Sequence, residues 1–435
     1  MGRSLPPHRI GTGCAVLLAV AFTGVQLTAV TGRDSPDSRN YISHALSLSG
    51  ESRARATART IDYVCADPGG GRLTWIPWTA DTSAAETADE CGKRLTASAA
   101  YWLEHGNTSG MTGPFLNHRY MAIFEARPGY PLLLVPFVSV FGLAWGIWLA
   151  GLAVTLAGSL LVLAALRVAG APWPAALCGQ ALYLALPTGT TAMRPMSDGL
   201  AMAGAATVVL GATLALNGRR RAGPLVVTGG AVLVFVTRYS QALLLTAALT
   251  VALAALVGHR RLRRRPLRPA ADLLVLCALL TAAMYAAALL LGWPGGEESV
   301  QDLLTDHYRI PDVADPWRRF LEQELGFWPA WFRLQLADPV LLLALGLSAW
   351  ALVRRPSSFG LVAAATAAAG VLNQAGHPNP AMATGPRLIV LVWFLPVLVL
   401  PTLGRRRTGA PPTRRLPGRP GPPAGGRSES PAQHP

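Results

Sequence analysis

Two aspartates, Asp34 and Asp37, stand just after the first long apolar run, in the stretch TAVTGRDSPDSRNYIS (28–43). A carboxylate held at a membrane surface is partly desolvated, which raises its pKa and fits it to take a proton from a hydroxyl. Arg33 and Arg39 flank the pair, so two solvated acids with an ion-pair partner would give the same pattern. Asp198 follows Arg194 in LPTGTTAMRPMSDGLAMAGA (186–205), at a helix start where an Asp also serves as a plain cap. Arg194 is harder to explain in that way. An arginine in a short loop outside the membrane suits an anionic ligand.

Arg238 interrupts the apolar run 224–258, in VFVTRYSQALLL (234–245). An ionisable residue there marks a functional group or a simple turn between two spans. Arg387 opens the last apolar run in NQAGHPNPAMATGPRLIVLVWF (373–394), which also carries His377. DLLTDHYRIP (302–311) adds Asp306, His307 and Arg309. Singly, His307 and His377 read as solvated loop residues. The candidate site rests on several Arg and Asp standing at one depth on one side.

The elements that must position these residues are apolar helices. The chain has 435 residues, 51% hydrophobic and only 14% charged, with a mean hydropathy of +0.35. A soluble domain carries about a quarter charged residues. Continuous apolar runs of span length recur from end to end, which predicts an all-α, polytopic membrane protein and excludes a barrel of alternating strands. The net charge of +15 does not point to nucleic acid. Its arginines stand in short clusters between spans, as expected for cytoplasmic loops.

Those clusters, NGRRRAG (217–223), GHRRLRRRPLR (258–268), VRRPS (353–357) and GRRRTG (404–409), set the topology. Residues 1–10 form a cytoplasmic N-terminus, and the run 11–31 reads as an uncleaved first span. The membrane domain extends over 11–403, with about ten crossings. Outer loops cover 32–128, 188–197, 293–335 and 374–387, and hold nearly all the Asp and Glu. Three apolar segments in 129–187 give an odd count where an even one is needed, so one is read as re-entrant or the helices as long and tilted. The Pro/Gly/Arg-rich tail 404–435 is expected to be cytoplasmic and disordered.

The long first loop is expected to carry amphipathic helices. DSRNYISHALSLSGES (37–52) places Tyr41, Ala45 and Leu48 on one face, predicting a helix lying on the membrane, and ESRARATARTIDYV (51–64) a second. The loop also holds Cys65 and Cys91, which can form a disulfide if it is extracytoplasmic. No Cys or His spacing resembles a zinc site.

In this order the features resemble the GT-C superfamily of integral-membrane glycosyltransferases, from the first span to Arg387. The carrying features are the acidic residue after the first span, the amphipathic helix, RPGYPLLLVPFVSVFG (127–142), RPMSDGLAMA (194–203) and TRYSQALLL (237–245). The resemblance implies a sugar donor carried on a polyprenyl phosphate and used at the outer face of the plasma membrane, with both termini cytoplasmic. It implies that Asp34 or Asp37 is the base for the acceptor hydroxyl. Asp37 has the D-S-x-x-Y spacing to Tyr41, while Asp34 is nearer the membrane. Arg194, Arg238 and Arg387, with Asp198, Tyr41, His307 and His377, are the expected substrate-binding residues; the acceptor is not specified. Some relatives bind a divalent metal, but this sequence lacks a D-x-D pair. The rival readings are a transporter or lipid flippase, which needs polar groups along a path through the bilayer, and a non-catalytic protein of the same fold.

Overall fold

The computed structural model describes residues 7–66, 87–379 and 387–403, and every regular element among them is helical. The tail 404–435 and most of the expected loop 374–387 (residues 380–386) lie outside the described residues. Among the described residues, six helices are long and apolar enough to cross a membrane: α1 (Pro7–Gln26), α6 (Gly129–Val168), α9 (Ser197–Leu216), α11 (Tyr239–Leu262), α12 (Ala270–Leu290) and α16 (Ser358–Ala375). The count is seven if α14 (Pro316–Ala337) and α15 (Val340–Arg354), bent by 93°, form one span. This is a multi-pass helical membrane protein. Large apolar side chains on α12, among them Val275, Leu279 and Leu290, stay exposed on the protein, as lipid-facing positions do.

Shorter helices complete the bundle: α7 (Trp173–Ala185), α8 (Pro187–Ala192), α10 (Ala222–Thr237) and a C-terminal run over Val390–Thr402 that alternates 3₁₀ turns with α17 (Phe394–Val399). The central pair is α9 and α10. Small residues let their backbones meet, as at Gly204, where an added Cβ would lie 2.7 Å from a Val234 methyl and 3.2 Å from the Gly230 carbonyl. Without a hydrophobic drive between helices in lipid, such close packing is what holds them.

The longest helix is two helices. At Gly142 the backbone has φ 75° and ψ 176°, a conformation essentially restricted to glycine. A Cβ added at Gly146 would lie 2.6 Å from the Phe137 carbonyl oxygen. Nine residues of straight helix would separate the two by about 13 Å, so the chain folds back on itself as a helical hairpin. Gly129 abuts Val236 and Thr237 at the end of α10, while Val168 accepts a hydrogen bond from Asn217 at the opposite end of the bundle. Only the second limb therefore traverses the bundle, and the first limb ends on the side where it began. That removes the odd count expected for 129–187.

Contacts fix which ends share a side. Gln26, at the end of α1, meets the Trp148 indole; Met193 packs against Gly151; Arg238 separates α10 from α11. Arg167, Arg219–Arg221, Arg260–Arg265 and Arg354–Arg355 all lie at the opposite helix ends. The charge partition expected from sequence is thus a partition of the folded bundle.

The first polar loop folds into α2 (Ser38–Leu48), α3 (Arg53–Cys65), α4 (Ala88–Glu104) and α5 (His118–Glu125). The sulfurs of Cys65 and Cys91 are bonded, joining α3 to α4 across a Cα–Cα distance of 5.5 Å. α2 departs from the expectation of a helix on the membrane surface. Ser38 and Asn40 through Leu46 are all buried, and Tyr41 and Ala45 sit in a core with Phe124, Tyr130 and Leu134. The apolar spacing is the one expected, but it meets α5 and the α6 hairpin instead of lipid.

Candidate functional site

Six charged side chains meet where the apolar helices end. Asp37 stands at the residue before α2 with its side chain free of any capping bond, Asp198 lies in the first turn of α9, and Arg238 occupies the break between α10 and α11. Arg387 enters from just before the C-terminal run. It donates from Nη2 to Asp37 Oδ2 at 2.5 Å and from Nε to Asp198 Oδ2 at 3.1 Å. Asp198 Oδ1 is paired with the Arg238 guanidinium, and both of these side chains are buried, at 1% and 6% exposure. The Asp37 and Arg387 side chains remain 18% and 17% exposed, so the site opens on their side.

Two more arginines complete the group. Arg127, between α5 and α6, reaches the Tyr41 hydroxyl at 3.5 Å and leaves its buried Nε without a hydrogen bond. Tyr41 also shares a hydrogen bond of 2.8 Å with Ser197. Arg194, between α8 and α9, stands beside Arg387 and Asp198. Burial first, and then the Arg387 charge, lower its pKa against the opposing pull of Asp198. The cluster thus holds four guanidiniums (Arg127, Arg194, Arg238, Arg387) around two carboxylates (Asp37, Asp198).

The electrostatics of Asp37 overturn the sequence expectation of a raised pKa. Burial does push its pKa up. The charges of Arg387, Arg127 and Arg238 outweigh burial and hold the carboxyl at about 2. An opposite charge in contact favours the ionised form more than desolvation penalises it.

Of the two candidates for the base, Asp37 is the one bonded to Arg387, while the Asp34 charge acts on Tyr63. Arg33 caps α1, donating to the Ala29 carbonyl at 2.7 Å and the Gln26 carbonyl at 3.1 Å. His307 and His377 sit at the edge of the site. His307 Nδ1 meets Asp302 Oδ1 at 3.0 Å, and its ring packs on Tyr120, whose hydroxyl donates to Asp37 Oδ1 at 3.3 Å. His377 is close enough for Asp302, His307 and Asp37 to act on it, but burial dominates and lowers its pKa.

Sequence reasoning missed Arg127, Tyr120, Asp302 and Arg119. Arg127 carries a signal shared with Arg194, an Arg-Pro pair on the site side of an apolar helix. Arg119 joins α5 to the segment after α12, donating to Glu298 at 2.9 Å and Asp312 at 2.8 Å and stacking 4.2 Å over Tyr308. Among the described residues no group of three or more His, Cys, Asp or Glu is arranged to hold a metal ion. No protein-family model, curated protein or solved structure matches the chain.

Proposed function

We propose that the protein is a membrane glycosyltransferase that moves a sugar from a polyprenyl-phosphate donor to an acceptor hydroxyl. The observation that carries this reading is the surplus of guanidinium groups over carboxylates in a largely buried cluster at the ends of apolar helices. Uncompensated buried cations are costly, and a phosphate would neutralise them. The prenyl tail of such a donor would lie among the apolar helices while its phosphate meets the arginines. The resemblance of the chain to GT-C enzymes supplies the sugar.

In this reading the donor phosphate competes with Asp37 for Arg387. Asp37 is then released from its ion pair, its pKa rises, and it takes the proton of the acceptor hydroxyl as the anomeric carbon is attacked. The remaining arginines stabilise the departing lipid phosphate. A transporter would need its ionisable groups along a path through the bilayer. Here they stand at helix starts and breaks, so the enzyme is the better reading. In this reading the ten crossings expected from sequence would be the six long apolar helices, with only the second limb of α6 crossing, and four shorter segments: α7, α10, α15 and Val390–Thr402. The site side would be the outer face of the plasma membrane, and the arginine-rich ends the cytoplasmic one.

The test is transfer from labelled polyprenyl-phosphate sugars in membranes containing the wild type, Asp37→Asn or Asp34→Asn. Asp37→Asn should lower transfer by about 10²-fold or more, the scale of lost general base catalysis, while Asp34→Asn stays near wild type. Full transfer by a correctly inserted Asp37→Asn variant would end this assignment.

A further inference from the structure

Three consecutive residues, Asp306, His307 and Tyr308, have φ of 49°, 63° and 59°. A non-glycine residue in the left-handed region costs free energy, and a run of three persists only where the surroundings impose it. What imposes it is visible on both sides. Tyr308 donates through its hydroxyl to the Glu298 carbonyl at 2.6 Å and accepts the Arg119 guanidinium over its ring. The Tyr308 N–H donates to Thr305 Oγ1 at 2.9 Å. Gln301 braces the far strand of the turn, giving a hydrogen bond to the Val313 carbonyl and taking one from its N–H. The product of this bracing is the placement of His307.

His307 is oriented from behind by Asp302, a buried carboxylate at 6% exposure, and its ring packs on Tyr120 at a 43° tilt with centroids 4.3 Å apart. Tyr120 in turn donates to Asp37 Oδ1. Oδ2 of the same carboxylate is held by Arg387. Resting on the glycosyltransferase reading above, we propose that His307 is a positioning residue for Asp37, acting through Tyr120, and that its protonation sets how strongly Asp37 attracts a proton.

The charged and titratable groups that face His307 are Asp302 and Asp306 from its own segment, Asp37 from α2, Tyr120 from α5 and His377 from the end of α16. Burial lowers the His307 pKa, but the Asp302 bond and the three carboxylate charges outweigh it, so the imidazole titrates above its usual value. The coupling with Asp37 is reciprocal. Charged His307 weakens Asp37 as a base, and neutral His307 strengthens it. The transfer rate should therefore pass between two non-zero plateaus, the higher one at higher pH, and should not fall to zero at low pH while Asp37 stays ionised.

The experiment uses the full chain in lipid nanodiscs with ¹³C-labelled histidine, the His307 resonance being assigned with His307→Phe, which keeps a ring against Tyr120. Its pKa should fall in Asp37→Asn and fall further in Asp302→Asn, as expected when an opposite charge nearby is removed. In parallel, the pH profile of transfer should show the step in wild type, show it at lower pH in Asp302→Asn, and lack it in His307→Phe. A His307 pKa that ignores Asp37→Asn, or a step that survives in His307→Phe, overturns the proposal. Coupled titration in a protein that transfers no sugar would instead count against the glycosyltransferase reading and leave the electrostatic link standing.

Discussion

The central fact at the scale of residues is that one arginine serves two acids. Arg387 holds Asp37 and Asp198 together, and Arg238 completes the buried pair. A consequence for stability follows with a definite sign. The folded pKa of Asp37 is about 2, against an unfolded value of about 3.9. A depressed folded pKa gives stability that is complete above the unfolded value and is lost as pH falls through the folded one. The melting temperature of the wild type should exceed that of Asp37→Asn at pH 6, and the gap should close as pH drops from 4 towards 2. A gap that persists unchanged at the acid end would contradict the pairing. Asp37, Asp198, Arg238 and Arg387 were legible in the sequence because a charge at the end of an apolar run is costly and needs a reason. Arg127, Tyr120 and Asp302 were not. A polar residue in a polar loop carries no such cost, and only the fold shows that these three converge.

Among the elements, the α6 hairpin does most to shape the site. Its first limb delivers Tyr130 to Tyr41, with ring centroids 5.6 Å apart, and fixes Arg127 just ahead of it. The turn depends on Gly142, whose backbone conformation excludes a side chain. Gly142→Ala should destabilise the protein by about 1–3 kcal/mol, the cost of such a strained residue. Gly13→Ala, at a helical position on α1 with open space around it, serves as the control. Equal melting of the two variants would remove the turn from its role. Apolar segments in 129–187 were readable, but a fold-back is a matter of one dihedral pair and leaves no periodic trace. For α2 the difficulty was different. Tyr41, Ala45 and Leu48 share a face whether that face meets lipid or protein, so spacing alone does not choose between a surface helix and the buried one observed.

Across the whole molecule, the charges divide by side. The acids of the site and of the loops around it share one end of the bundle, and the arginine clusters share the other. In a background lacking Cys14, Cys178 and Cys277, a cysteine placed at Asp312 should react with a membrane-impermeant maleimide in intact cells. One placed at Arg264 should react only after permeabilisation. The reverse pattern would invert the orientation proposed here. This partition was readable because arginine placement is a property of the linear chain. The order in which the site is made follows from the same chain. Synthesis runs from the N-terminus, so Asp37 and Asp198 are made 350 and 189 residues before Arg387. Until it arrives, the ribosome-bound intermediate carries one acid with no Arg387 and another held by Arg238 alone. The site is thus closed only once the segment carrying Arg387 has joined the bundle, so its last ion pairs form late in assembly.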